Sequence, residues 1–240
     1  EVIVVDHGST DDTPQVLADY EGRLAYIRRE RDFGPHFCWL EGILHAQHEF
    51  VHLQFDDDWI EPGFVSACME TMTDETGFAF CVAGIHNETE DRITEQLFAN
   101  WMPASGSYTL GELERRITGT MISPGAAVHR REVFIDALYQ GRLPLDPTAY
   151  HGVGPDCFVS LLSMLRYPRV GYVRERLAVF RAHAGSITMD ALSDPVKHVQ
   201  LAQSYNHVKR FYRELKFLRY LRNPWFKKPL GYLRRMLRIP

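Results

Sequence analysis

Three consecutive carboxylates, Asp56, Asp57 and Asp58, close an apolar run that starts at Glu49 and Phe50. An apolar run ending in acids reads as a buried strand whose C-terminal edge opens into a crevice, which is where open α/β sheets bind ligands. Clustered carboxylates repel one another unless a cation or solvent compensates them. A hard divalent cation that also touches phosphate oxygens is the usual solution, so the spacing points to a metal–diphosphate site. The plainer alternative is a solvated acidic turn capping a helix that begins near Pro62. A second candidate lies at the start of the chain, where a β-branched run reaches Asp6 and is followed by the turn-forming HGSTDDTP. Thr10, Asp11 or Asp12 can cap the next helix, with Pro14 in its first turn.

Five segments occur in order along the chain: EVIVVDHGSTDDT, GPHFCWLEGI, FVHLQFDDDWIEPGF, GPDCFVSLL and RERLAVFRAHAGSIT. Together they resemble the family-2 glycosyltransferases of GT-A fold, over roughly residues 1–188. The resemblance implies a Rossmann-like α/β fold with a mixed, mainly parallel sheet flanked by helices. It also implies a nucleotide diphosphate sugar as donor, with UDP the commonest base, and Mn2+ or Mg2+ as cofactor. Asp56 and Asp58 take the place of the family's Asp-x-Asp pair, with Asp56 and Asp57 also facing the nucleotide sugar. Asp6, His7 and Ser9 fall where relatives hold the nucleotide, His7 standing where Asp is commoner. Asp156, preceded by Pro155 rather than Glu, matches the general base. Arg181 and His183 match a segment that neutralises phosphate and closes on the metal.

The implied activity is metal-dependent, inverting transfer of a sugar to a hydroxyl of a glycan or lipid-linked glycan. The alternative is an inactive relative that binds nucleotide sugar or glycan. A nucleotidyltransferase would want a Gly-rich phosphate loop with a Lys or Arg, and only Gly8 is present near the first strand. Family members also open with a strand that sits centrally in the sheet and carries part of the nucleotide site. This chain starts at what resembles the second strand.

The elements that must position these residues alternate through the first half. Strands are expected near 1–6, 24–28, 50–55 and 78–84, and helices near 13–20, 36–47 and 63–72. Residues 86–108 read as a loop and 121–128 as a strand, with a helix following from Arg131. Residues 139–154 read as irregular, 157–165 as a helix, and 169–173 and 177–181 as extended. A long helical pattern covers 194–221. The expected division is a glycosyltransferase domain over 1–190 and a basic helical extension over 191–240.

Charge is uneven. Residues 205–240 carry +10 and the preceding residues −14, which together give the net −4. A basic tail on an acidic body points to an anionic surface partner. Phe226, Leu230, Leu233 and Leu237 recur at helical spacing beside basic residues, so residues 225–240 either lie on an anionic membrane or pack against protein. No apolar run approaches a membrane span, and no nucleic acid is expected as a partner. Four cysteines without paired spacing read as free, mostly buried thiols. The expected location is cytoplasmic, with peripheral contact at the inner face of the membrane. His45, His48 and His52 are spaced like metal ligands but read as solvated, and the Arg28–Arg31 cluster reads as a charged strand end.

Overall fold

Strand β1 (Ile3–His7) pairs in parallel with β2 (Ala25–Arg29) across the short helix α1 (Thr13–Ala18). This computed structural model describes residues 1–139, 154–183, 186 and 194–222. Helix α2 (Pro35–His45) starts at Gly34 and packs on β1, where a Cβ at Gly42 would sit 3.2 Å from Val5. The chain then enters a seven-stranded sheet through β3 (Phe50–His52), β4 (Trp59–Ile60) and, after helix α3 (Phe64–Glu70), β5 (Thr76–Asn87). Strands β6 (Arg92–Leu97) and β7 (Gly106–Thr109) lead into α4 (Leu110–Thr120). A 3-10 turn at Pro124–Ala126 precedes β8 (Ala127–Arg130), and helices α5 (Arg131–Tyr139) and α6 (Pro155–Arg166) follow. The last elements are β9 (Arg169–Ala182) and the 28-residue α7 (Pro195–Arg222).

The sheet order is β3-β8-β5-β9-β4, with β6 on β5 and β7 on β9. The mixed α/β architecture is as expected. Within it β1–β2 and β5–β9 are the parallel pairs, and the other pairings are antiparallel. Residues 86–108 are not a plain loop, because β5 runs on to Asn87 and folds back as β6. The polar alternation of RITEQL is that of a half-exposed hairpin, not of disorder. The two extended runs near 170 and 180 are one strand: pairing passes from Cys81↔Val173 to Val82↔Arg176, so Arg174 and Glu175 bulge out. The strand expected over 121–128 shifts to Ala127–Arg130, since Pro124 cannot donate to a ladder and turns the chain first. Among the described residues β1 pairs only with β2, and β3 only with β8. No described segment takes the expected central place. The expected membrane-facing stripe of residues 225–240 lies outside the described residues, as does most of the stretch 139–154.

Phe78, Phe80, Phe134, Phe158 and Tyr172 are fully buried and centre the core. Backbone approach is closest at Gly171, where a Cβ would lie 2.2 Å from Thr71 Oγ1 and 2.7 Å from the Ala79 Cβ. Only glycine fits there, which holds β9 tight against β5 and α3. Helix α7 docks through Val208 and Tyr212, and the Tyr212 hydroxyl donates to Glu114 at 2.6 Å. The Phe158 and Phe211 rings meet 5.3 Å apart, which joins α7 to α6. Among the described residues no helix is long and apolar enough to cross a membrane. Cys68, Cys81 and Cys157 are buried free thiols, and burial pushes their pKa values up, away from thiolate chemistry.

His129 on β8 is fully buried, stacked on Phe78 at 5.1 Å and bonded through Nε2 to Ser160 Oγ at 3.1 Å. Burial pushes its pKa down to about 3, with His52 adding to the shift. The folded state therefore holds the ring neutral, and its contribution is complete above an unfolded pKa of about 6.5 and lost as pH falls below it. We predict that unfolding free energy falls with acid by about 1 kcal/mol per pH unit from this group between pH 6 and 4. His129→Phe keeps the stack on Phe78 and should flatten that slope in urea titrations. An unchanged slope would assign the acid sensitivity to other groups.

Candidate functional site

The three-aspartate loop leaves the sheet earlier than the sequence pattern predicts. β3 ends at His52, and residues 53–58 form a turn closed by the Asp58 N–H to the Phe55 carbonyl at 3.4 Å. Phe55 anchors the turn against Trp39, with ring centroids 5.7 Å apart. The chain rejoins the sheet at β4, where Trp59 pairs with Val179 and Ile60 with Ala178 of β9. That register sets Asp58 against the end of β9. The Arg181 backbone N–H donates to Asp58 Oδ1 at 2.9 Å, and His183 Nε2 lies 3.3 Å from Asp57 Oδ2. Residues 123 and 126 positions apart in sequence are thus joined by one strand pairing.

Burial pushes the Asp58 carboxyl up to about 6, with Asp57 and Asp56 adding repulsion that the Arg181 N–H only partly offsets. A carboxyl held in that state gains from any cation placed beside it. Three carboxylates and an imidazole form a donor set that suits a divalent ion, with oxygen donors for Mg2+ and the added nitrogen for Mn2+. Among the described residues no three of these groups already form a cage. His183 is turned to Asp57, and Asp58 to the backbone. The Arg181 guanidinium is engaged by Glu88 Oε1 at 2.6 Å, on the turn between β5 and β6. Glu88 was not singled out by the sequence reading. Its signal would have been the hairpin that the polar stretch concealed.

Near the end of β1, Asp6 is 5% exposed and three acceptor positions of its carboxylate are taken. Its Oδ1 accepts the Ser9 N–H at 2.8 Å, and its Oδ2 accepts the Tyr26 hydroxyl at 2.6 Å and Arg28 Nη1 at 3.2 Å. Burial alone would raise its pKa, but the bonds from Tyr26 and Ser9 and the Arg28 charge outweigh it and hold the carboxyl below its usual range. Arg28 also reaches the Ser9 carbonyl at 2.9 Å. Arg28 thus lies near the end of β2, as the charged strand end was expected to, and from there braces the turn that follows β1. Strand alternation in AYIRR puts Tyr26 and Arg28 on one face, and the parallel register brings that face to Asp6.

His7 points the other way, as the next residue on a strand must. Its Nε2 lies 3.1 Å from Glu41 on α2, which Arg29 also grips through Nε at 3.0 Å. Those Arg29 bonds, against burial and with help from His7, lower Glu41 to about 2. The His7 Nδ1 is buried and has no partner among the described residues. Asp6 and Ser9 are thus brought together by the structure, and His7 is separated from them.

Asp156 stands in the first turn of α6, after Gly154 at φ 109° and Pro155 at the helix start. Proline suits that position because its missing N–H has no helical partner to lose. The Asp156 Oδ1 accepts the Gly154 N–H at 2.8 Å and the Cys157 N–H at 2.7 Å, and the Cys157 thiol also bonds the carboxylate. Burial raises its pKa, opposed by those two backbone bonds. No hydrogen bond among the described residues links Asp156 to the three-aspartate loop.

The family model described as Glycosyl transferase family 2 matches residues 1–138. The uncharacterized protein Rv1520 of Mycobacterium tuberculosis is 24% identical over 201 residues, covering 81% of this chain and 53% of that protein. The chain thus spans about half the length of this relative. Among solved structures, residues 1–349 of TarS from S. aureus superpose with a TM-score of 0.57 at 18% identity, covering 87% of this chain and 60% of that one. A second structure of TarS holds UDP. The mannosyltransferase PcManGT from Pyrobaculum calidifontis, in complex with GDP-Man and Mn2+, superposes with a TM-score of 0.51 at 18% identity, covering 100% of this chain and 66% of that one. At these identities the likeness shows the fold.

The contrast between Asp6 and Asp58 is open to measurement. Asp6→Asn should lower the melting temperature of the ligand-free protein, by about 2–4 °C for each kcal/mol lost with the Tyr26 and Arg28 bonds. Asp58→Asn should leave it unchanged or raise it, since it removes a repelled carboxyl. An Asp58→Asn protein that melts well below the parent would show that the Arg181 bond outweighs the repulsion.

Proposed function

Because the chain belongs to glycosyl transferase family 2, we propose that it moves a sugar from a nucleotide diphosphate sugar to a hydroxyl of a glycan or lipid-linked acceptor, with inversion and with Mn2+ or Mg2+. The observation that carries this reading is the half-buried Asp58, its pKa raised by burial and its acidic neighbours, tied by Arg181 to the end of β9 and flanked by the Asp57–His183 pair. Its neighbours in fold hold UDP in one case and GDP-Man with Mn2+ in another. Asp56, Asp58 and His183 would hold the cation, which when bound neutralises diphosphate charge in the ground state and as the diphosphate leaves.

The chain's own residues supply the rest. Asp6 has used three acceptor positions of its carboxylate, and a fourth remains for a nucleobase N–H. Ser9, whose N–H bonds Asp6, would add a nucleotide contact on that side of β1, while His7 on the opposite face is held by Glu41. Arg181 would exchange Glu88 for phosphate oxygens, which carry more charge. The Asp156 carboxylate would take the proton of the acceptor hydroxyl as the hydroxyl oxygen attacks the anomeric carbon, and the bond to the diphosphate breaks on the opposite side. A base with a raised pKa accepts that proton more readily than an ordinary carboxylate.

Calorimetry with UDP and GDP should show binding that requires Mn2+, lost in both Asp56→Asn and Asp58→Asn. Equal affinity with and without the metal would refute the cation's role. Asp156→Asn should reduce donor turnover by about 10²-fold or more with nucleotide affinity nearly unchanged. In the parent protein, turnover should fall with acid at a pH above the ordinary carboxylate value of about 4, because burial raises Asp156. A variant that keeps most of its turnover would leave Asp156 as a helix cap only.

A further inference from the structure

Trp59 is the one large side chain of the three-aspartate segment that faces solvent, with 38% of its surface exposed. Trp39 and Trp101, by contrast, pack against the core. The exposure is ordinary for a single apolar side chain; what sets Trp59 apart is its place directly after the three carboxylates. Its ring is not loose. β4 and β5 flank β9, and from β4 the indole reaches over the fully buried Val179 to His86 of β5, with ring centroids 5.4 Å apart at 65°. His86 is in turn fixed through Nε2 by Asp91, 3.3 Å away, whose own side chain is 95% exposed. Glu88 and Asp91 on the same hairpin turn edge this surface with acceptor oxygens.

We propose that Trp59, backed by His86, is the platform on which a neutral sugar ring rests beside the cation site, with hydroxyls reaching the Asp91 and Glu88 carboxylates. The inference rests on the glycosyltransferase reading above. Its chemistry follows from the surface itself. An indole face matches the C–H face of a pyranose, and surrounding carboxylates accept hydroxyl protons but repel a further anion. A phosphate would meet that repulsion, whereas an uncharged ring would not. The ring belongs either to the donor or to the acceptor, and one set of measurements separates the two.

The test uses the full chain labelled with 5-fluorotryptophan, the Trp59 resonance being assigned by its loss in Trp59→Phe. Probes are UDP, GDP, UDP-glucose and GDP-mannose with Mn2+, and methyl β-D-glucopyranoside and methyl α-D-mannopyranoside at millimolar concentration. A donor platform shifts the Trp59 resonance with a nucleotide sugar but not with the bare nucleotide. Trp59→Ala then loses about tenfold in affinity for the nucleotide sugar and Trp59→Phe much less, with UDP and GDP unaffected in both. An acceptor platform instead shifts the resonance with a methyl glycoside, further when UDP or GDP is already bound. Because the resonance is read in the unsubstituted sequence, the test stands even if Trp59→Ala fails to fold.

Nucleotide binding without any sugar-dependent change at Trp59 overturns the platform and leaves the proposed function intact. Glycoside contact at Trp59 without nucleotide binding supports the platform and overturns that function. Silence in both overturns both.

Discussion

The parallel ladder between β5 and β9 is the constraint from which the site follows. Its two long strands run side by side from Thr76↔Arg169 to Asn87↔Ala182, and the approach at Gly171 leaves no room for a side chain. Because β9 carries β4 on its other edge, fixing β9 also fixes where Asp58 meets Arg181 and where Trp59 meets His86. The bulge at Arg174 and Glu175 lets a charged interruption face outward without ending the strand. A break there would let the last turns of β9 part from β5. Glu88, Arg181, His183 and the aspartate loop would then lose their common frame.

Three carboxylates show how one chemical group takes three characters from its surroundings. Asp6 is enclosed but supplied with a hydroxyl, an amide and a guanidinium, so its charge is held. Asp58 is enclosed with one amide and two like charges, so its charge is disfavoured. Asp156 has two amides on one oxygen and a burial cost that exceeds them, so it tends toward a base. Asp6 is buried outright, whereas Asp58 and Asp156 keep part of their surface. The number of donors that the backbone and neighbouring strands provide differs as well, and it leaves the charge held on Asp6 and disfavoured on Asp58 and Asp156.

Much of this was legible in the residues. Apolar runs, turn residues and the capping pattern mark the alternation of strands and helices in the first half, because periodicity and backbone preference are local properties. The aspartate triplet, Asp156 before an apolar helix, and the Arg181 and His183 segment all stand out by type and context. The hairpin of β5 and β6 did not, since its polar alternation is also that of a loop. Nor did the union of the two extended runs into β9, since charged residues at its centre mimic a break.

Tertiary structure decided which groups meet. Sequence placed Asp6 and His7 side by side, yet strand alternation and packing on α2 send one to Tyr26 and Arg28 and the other to Glu41. It marked Arg181 as a phosphate ligand, and only the folded hairpin sets Glu88 beside that guanidinium. It gave Trp59 no role, and only the order β5-β9-β4 brings that ring to His86 at the rim of the carboxylates. The sequence by itself determined the family, the chemistry of the candidate groups and most of the elements, because these depend on residue type and short-range pattern. Register, bulge and close packing determined the partnerships, because they depend on contacts between segments more than a hundred residues apart, which no local pattern encodes.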